Sequence, residues 1–205
     1  AIKVALQYFF NKGEKKTTII AFENAFHGDT FAAMAASGIS FYTLAFQSMM
    51  IDVVRIPVPV VGQEKASFDA LAKAIKEHNC AGFIYEPLVQ GAAGMVMYEP
   101  AALDTLIRMC KDNNVLTIAD EVMTGFGKTG KTFATDYLIE QPDMMCFSKA
   151  LTGGTIPMAI TTFTQEIFEA FYDEDINKAL FHGHTFTANP TGCAAALASL
   201  ELLQT

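Results

Sequence analysis

The fold is decided at V-L-T-I-A-D, residues 115–120, and at M-M-C-F-S-K, residues 144–149. Each stretch is a short apolar run that delivers polar residues at its end, Asp120 from the first and Lys149 just beyond the second. Runs of this length read as strands buried on both faces, the kind found inside a mostly parallel sheet. In open sheets of that class ligands gather beyond the carboxyl ends of the strands, so an acid and an amine are expected on one rim.

The same pattern extends toward both ends of the chain. Short β-branched or apolar runs at 17–22, 52–56, 82–85, 115–119, 144–147 and 158–163 predict strands. Stretches with helical periodicity at 2–10, 30–36, 68–77, 100–113, 165–172 and 190–203 predict helices, with Pro100 suited to a first turn, where no amide donor is needed. The alternation predicts an α/β fold, a largely parallel sheet with helices on its faces. No repeat, low-complexity tract or linker interrupts it, so residues 1–205 read as one domain. The opening A-I-K-V-A-L has the character of mid-helix, and the last helical run lacks a Gly or Pro stop. Both flanks are therefore expected to belong to a longer protein.

The composition narrows the function classes. With 51% hydrophobic residues in 205, the chain can bury a substantial core, and no apolar run reaches the ~20 residues that span a bilayer. A net charge of −8 without basic runs disfavours nucleic acid and anionic lipid as partners. Cys80, Cys110, Cys146 and Cys193 are widely spaced and form no C-x-x-C pair. They read as reduced thiols of the core in a cytoplasmic protein.

Asp120 and Lys149 suit a pyridoxal cofactor, which needs a lysine amine to bond its aldehyde and a carboxylate opposite its ring nitrogen. Stabilising the protonated nitrogen makes the ring an electron sink when a substrate carbon loses its proton. Taken singly, each residue has an ordinary explanation, since an acid after a strand often caps a helix and a loop lysine is usually solvated. The surroundings change that weighting. Lys149 lies in S-K-A-L-T-G-G, where small residues leave room for a planar group and a mobile amine.

Other polar residues follow other strands. Phe26-His27-Gly28-Asp29-Thr30 joins a strand to a helix, and a ring face suits Phe26; the plainer reading is a buried Phe beside a core histidine. Glu86 precedes P-L-V-Q-G-A-A-G-M, a loop that suits the lining of a cavity. Either a hydrogen bond near the cofactor or a turn cap accounts for Glu86, and the residues leave both open. His182 and His184 have no third ligand at suitable spacing, so no metal is expected. The hydroxyl and amide of Thr185, shortly before a predicted helix, suit a phosphate.

A rival motif is present. Residues 125–132 read G-F-G-K-T-G-K-T and satisfy the phosphate-loop pattern of nucleotide hydrolases. That mechanism requires a strand running into the first glycine and a long helix starting at Lys-Thr. Here the strand ends well before Gly125, and Gln141-Pro142 leaves little room for the helix. An ATPase is therefore the remote alternative.

Together A-D-E-V-M-T-G-F-G-K-T-G at 119–130, S-K-A-L-T-G-G at 148–154, F-H-G-D-T, E-P-L-V-Q-G-A-A-G-M and F-H-G-H-T-F-T-A-N-P resemble, in order and spacing, the class III aminotransferases of fold type I. The resemblance covers nearly the whole chain. It implies the large domain of a pyridoxal 5′-phosphate (PLP)-dependent transferase, incomplete at both ends, with the small C-terminal domain absent. It implies Lys149 as the cofactor lysine and proton carrier, Asp120 as partner of the ring nitrogen, and Val122 and Phe26 on opposite ring faces. The family usually has Tyr at the position of Phe26. His27 and Glu86 are implied near the cofactor, and Asp29 and Gly183 near the substrate. Thr185 is implied at the phosphate of a neighbouring subunit's cofactor, and hence a homodimer with sites at the interface; His184 stands where Pro is common. Within the class, H-G-D-T, the E-P-L-V-Q-G-A-A-G-M stretch and Met123, where relatives acting on ornithine or aminobutyrate carry Gln, resemble the branch acting on 8-amino-7-oxononanoate in biotin biosynthesis. The partners implied are an amine donor, S-adenosylmethionine or lysine, and a keto acid acceptor. Another class III ω-aminotransferase or an aminomutase is the alternative, and a catalytically silent relative is a further one that Asp120 and Lys149 argue against.

Overall fold

Five parallel strands and one antiparallel edge strand form the central sheet of the computed structural model, which describes residues 1–38 and 43–204. The strands are β1 (Thr18–Phe22), β2 (Val53–Ile56), β3 (Cys80–Tyr85), β6 (Leu116–Asp120), β7 (Met144–Phe147) and β8 (Ile160–Phe163). A hairpin of β4 (Val89–Gln90) and β5 (Val96–Met97) stands apart. The order across the sheet is β2-β1-β3-β6-β7-β8, with β8 antiparallel to β7.

The helices are α1 (Ile2–Asn11), α2 (Phe31–Ala36), α3 (Glu64–Glu77), α4 (Pro100–Asp112), α5 (Gln165–Glu169) and α6 (Pro190–Leu203). Strands β1, β3 and β6 are buried along their whole length, so most of their side chains on both faces are apolar. Successive residues then serve two cores. Ile20, Phe22, Phe83 and Tyr85 pack with Leu71 of α3 and Leu103, Leu106 and Ile107 of α4. Ile19, Ala21, Ile84 and Ile118 pack with Ala5, Tyr8 and Phe9 of α1. Each of the Ile, Leu and Phe side chains contributes roughly 1.5–3 kcal/mol on burial, which fixes the register, since a slip of one residue would exchange the two faces.

The predicted elements are found with shifted ends. Helix α3 begins at Glu64 rather than 68, its acidic first residue complementing the amide end of the helix dipole. Helix α5 ends at Glu169 rather than 172, and its chain continues through one hydrogen-bonded turn to Tyr172. Cys80 and Cys110 are core thiols as expected, whereas Cys146 and Cys193 are half-buried; all four are free. No helix among the described residues is long and apolar enough to cross a membrane.

Strand order reverses between β1 and β3, with β2 beyond one and β6 beyond the other. Such a switch point opens a crevice at the carboxyl ends of the strands, because the crossovers leave on opposite faces. The segments that follow Phe22, Tyr85, Asp120 and Phe147 all emerge at that edge.

Candidate active site

Asp120 ends β6 and pairs in register with Cys146 of β7, so the turn bearing Lys149 begins beside it, at the end of the neighbouring parallel strand. The carboxylate is held on both oxygens. Oδ2 lies 2.8 Å from Nδ1 of His27, and Oδ1 accepts the Val122 amide at 3.1 Å. The His27 side chain is 1% exposed and that of Asp120 10%. The second His27 nitrogen, Nε2, is buried without a partner. His27 is fixed in turn through its own amide, which donates to Ser37 Oγ at 2.9 Å, while that hydroxyl donates to the carbonyl of Ala33.

Asp120, Val122, His27 and Cys146 share a cleft of about 510 Å³ with residues 1–4 at the start of α1. Burial, reinforced by the nearby Asp120 carboxylate, pushes the Cys146 thiol up. Phe26 belongs to a different cleft. It is 47% exposed rather than buried, and with Asp29, Ala92 and Ala93 it lines an adjoining cleft of about 470 Å³. Ser148 and Met158 face His184 and Phe186 across a third cleft, of about 620 Å³. His182 belongs to both the first cleft and the third. Gly183 and Thr185, its near neighbours in sequence, are exposed. A larger hollow, of about 870 Å³, lies at the opposite edge near the starts of β1 and β2, away from Asp120 and Lys149.

Lys149 is exposed and has φ of 46°, a left-handed backbone that side chains with a Cβ rarely adopt. Such a conformation costs of order 1–3 kcal/mol and persists where the surroundings impose it. Here they do. Ser148 Oγ donates to Met158 O at 2.7 Å on one side, and Ser199 Oγ of α6 donates to Ala150 O at 3.1 Å on the other. Gly153 and Gly154 then both take positive φ, so those small residues serve the turn itself.

Glu86 is buried and meets two backbone amides, Phe26 N at 3.2 Å on Oε1 and Gly91 N at 2.9 Å on Oε2. It thus ties the Phe26 segment to the Gly-Ala loop. Gly91 has a steric reason as well, because a Cβ there would lie 2.2 Å from Sδ of Met123. The G-F-G-K-T-G-K-T stretch does not form a phosphate cradle. Its amides turn inward, Gly127 N to Thr132 O and Gly130 N to Gly127 O, and only a short 3-10 helix, Ala134–Tyr137, follows. Lys131 is committed to the carbonyl of Asp136 and the ring of Tyr137. Among the described residues no group of three metal-ligating side chains gathers.

The family described as "Aminotransferase class-III" matches residues 1–205. The chain belongs to the class-III aminotransferase family. It is 44% identical, over 99% of its own length and 50% of the relative's, to the adenosylmethionine-8-amino-7-oxononanoate aminotransferase of Synechococcus elongatus. The crystal structure of the Methanocaldococcus jannaschii protein of that name is similar at a TM-score of 0.91 and 37% identity, over 99% of this chain and 48% of that one. A transaminase from the marine bacterium Virgibacillus gives a TM-score of 0.92 at 29% identity, over 99% and 46%. This aminotransferase chain therefore spans about half the length of the relatives it matches.

Membership of the class-III aminotransferases implies PLP, and the residues fit it. Each Asp120 oxygen has one protein donor and keeps a lone pair for a ring N–H. Three contributors were missed in the sequence. Ser37 and Ser199 act through backbone groups and carry no pattern. Glu121, fully buried, accepts the Thr124 hydroxyl and the amides of Ala134 and Thr135, and so pins the glycine-rich loop beside Asp120. Its place next to Asp120 at a strand end was the available signal. Both arginines have structural partners: Arg55 donates to the carbonyls of Ala35 and Ser37, and Arg108 pairs with Glu140.

Proposed function

We propose that this chain is the cofactor-bearing large domain of an enzyme that transfers an amino group to 8-amino-7-oxononanoate, giving 7,8-diaminononanoate for biotin. S-adenosylmethionine is the proposed donor and PLP the cofactor. The observation that carries the reading is the end-to-end similarity to relatives of that name, combined with an acid and an amine at the ends of adjacent parallel strands. In the proposed protein, two such chains form a homodimer with sites at their interface.

When bound, PLP supplies an electron sink for a carbon that is losing a proton. The residues of the chain divide the remaining work. Lys149 Nζ would hold the cofactor, and as a free amine it would take the proton from the donor carbon and return one to the acceptor, so one amine would serve both halves of the transfer. Asp120 holds the proton on the ring nitrogen through its carboxylate, with His27 fixing the orientation of that carboxylate. Val122 from the Asp120 cleft and Phe26 from the separate one would bracket the ring. Glu86 keeps the Phe26 backbone in place, Thr185 would reach the phosphate of the neighbouring subunit's cofactor, and Asp29 and Gly183 would meet the substrate.

The test is an assay of the complete protein with 8-amino-7-oxononanoate and each candidate donor. Diamine formation with S-adenosylmethionine supports the proposal in full, and formation with lysine alone moves the donor. Failure with this acceptor but turnover of ornithine or aminobutyrate would assign the chain to another branch of the class.

A further inference from the structure

Helix α1 carries three polar side chains four residues apart, Lys3, Gln7 and Asn11, which therefore form one stripe. All three donate to backbone carbonyls of a single distant segment. Asn11 Nδ2 reaches Ala170 O at 3.0 Å and Lys178 O at 2.9 Å, and Gln7 Nε2 reaches Ala179 O at 2.8 Å. Lys3 Nζ reaches Phe181 O at 2.9 Å and stands 3.4 Å from Nδ1 of His182. Partners that are carbonyls rather than side chains fix the path of the chain whatever residues it bears. Within the loop itself Phe186 N meets His184 Nδ1 and Thr187 N meets His184 O. Lys3 and Gln7 are thus the tethers that immediately precede the loop carrying Gly183 and Thr185.

The opposite face of α1 is anchored in the core through Ala5, Tyr8 and Phe9, while its first turn walls the cleft that contains Asp120 and His27. One rigid element therefore touches both the Asp120 cleft and the approach to Thr185. We infer that Gln7, supported by Lys3, is a positioning residue for the cofactor site: the polar stripe of α1 sets where the Gly183 to Thr185 loop stands. The inference rests on the proposed assignment of that loop to the phosphate of the neighbouring subunit's cofactor. It adds that the loop's placement is dictated by a helix outside it.

The experiment measures cofactor dissociation constants by absorbance titration of the complete protein, together with the melting temperature of the cofactor-free form. Gln7→Met keeps length but removes the donor, Gln7→Lys keeps a donor, and Lys3→Met changes an exposed side chain with little risk to folding. Gln7→Met is expected to weaken cofactor binding about tenfold and Lys3→Met roughly threefold, as loss of one hydrogen bond would. Gln7→Lys should recover most of the affinity, and the cofactor-free melting temperature of Lys3→Met should stay unchanged. Unaltered affinity in both methionine variants overturns the inference. So does an affinity loss that merely follows the melting temperature and is not recovered by Gln7→Lys. Should the unsubstituted protein bind no cofactor, the proposed function itself fails and this inference with it, whereas normal uptake by both methionine variants defeats this inference alone.

Discussion

His27 Nδ1 sits 2.8 Å from Asp120 Oδ2, and the two residues are 93 positions apart in sequence. The imidazole is closed off from solvent, so the carboxylate has one fixed neighbour on that side instead of exchanging waters. Replacing His27 with Ala should leave Asp120 free to rotate and lower turnover on the order of tenfold, the effect of one lost charge-assisted hydrogen bond. His27→Asn, whose amide places a donor where Nδ1 stood, should recover part of it. Steady-state rates of the three proteins check this, and equal rates for Ala and Asn would show that the hydrogen bond is not what matters.

Asp120→Asn preserves shape and removes charge. If the carboxylate holds the proton on the ring nitrogen, turnover should fall about 10²–10³-fold, while the variant still binds cofactor because Lys149 and the cleft are intact. The pair of measurements, rate and absorbance of bound cofactor, separates loss of chemistry from loss of binding.

Glu121 should matter for stability rather than chemistry. It satisfies a hydroxyl and two amides in a fully buried site, so Glu121→Ala strands three donors. The expected loss is roughly 2–5 kcal/mol in denaturant unfolding. Glu121→Gln, which can still accept on one oxygen, should lose less.

Cys80 gives a pH prediction. Burial pushes its thiol from an ordinary value of 9.0 up to about 11. The unfolded chain therefore releases this proton before the folded one does, so the contribution to stability is complete below pH 9.0 and is lost as pH rises through about 11. Unfolding free energies across that window should decline, and Cys80→Ala should flatten the decline. A slope that the substitution leaves unchanged would assign it to other groups.

Much of this architecture can be read from the chain alone, because buried parallel strands and amphipathic helices leave periodic traces. The runs ending at Asp120 and before Lys149 are β6 and β7, and the G-F-G-K-T-G-K-T string lacks the flanking strand and helix its mechanism needs. What the chain did not reveal is non-local or conformational. The antiparallel direction of β8 leaves no mark in composition, and two-residue strands such as Val89–Gln90 are too short for periodicity. The His27 to Asp120 contact joins separate strand ends, and the left-handed backbone of Lys149 is one that its residue type does not announce.

The central claim is that Lys149 is the residue that bonds PLP. Borohydride reduction of the cofactor-loaded protein, followed by proteolysis and mass spectrometry, tests it directly. One pyridoxyl-phosphate adduct per chain is expected, on the peptide containing Lys149, and none in Lys149→Ala. An adduct on another lysine, or its persistence in that variant, would contradict it.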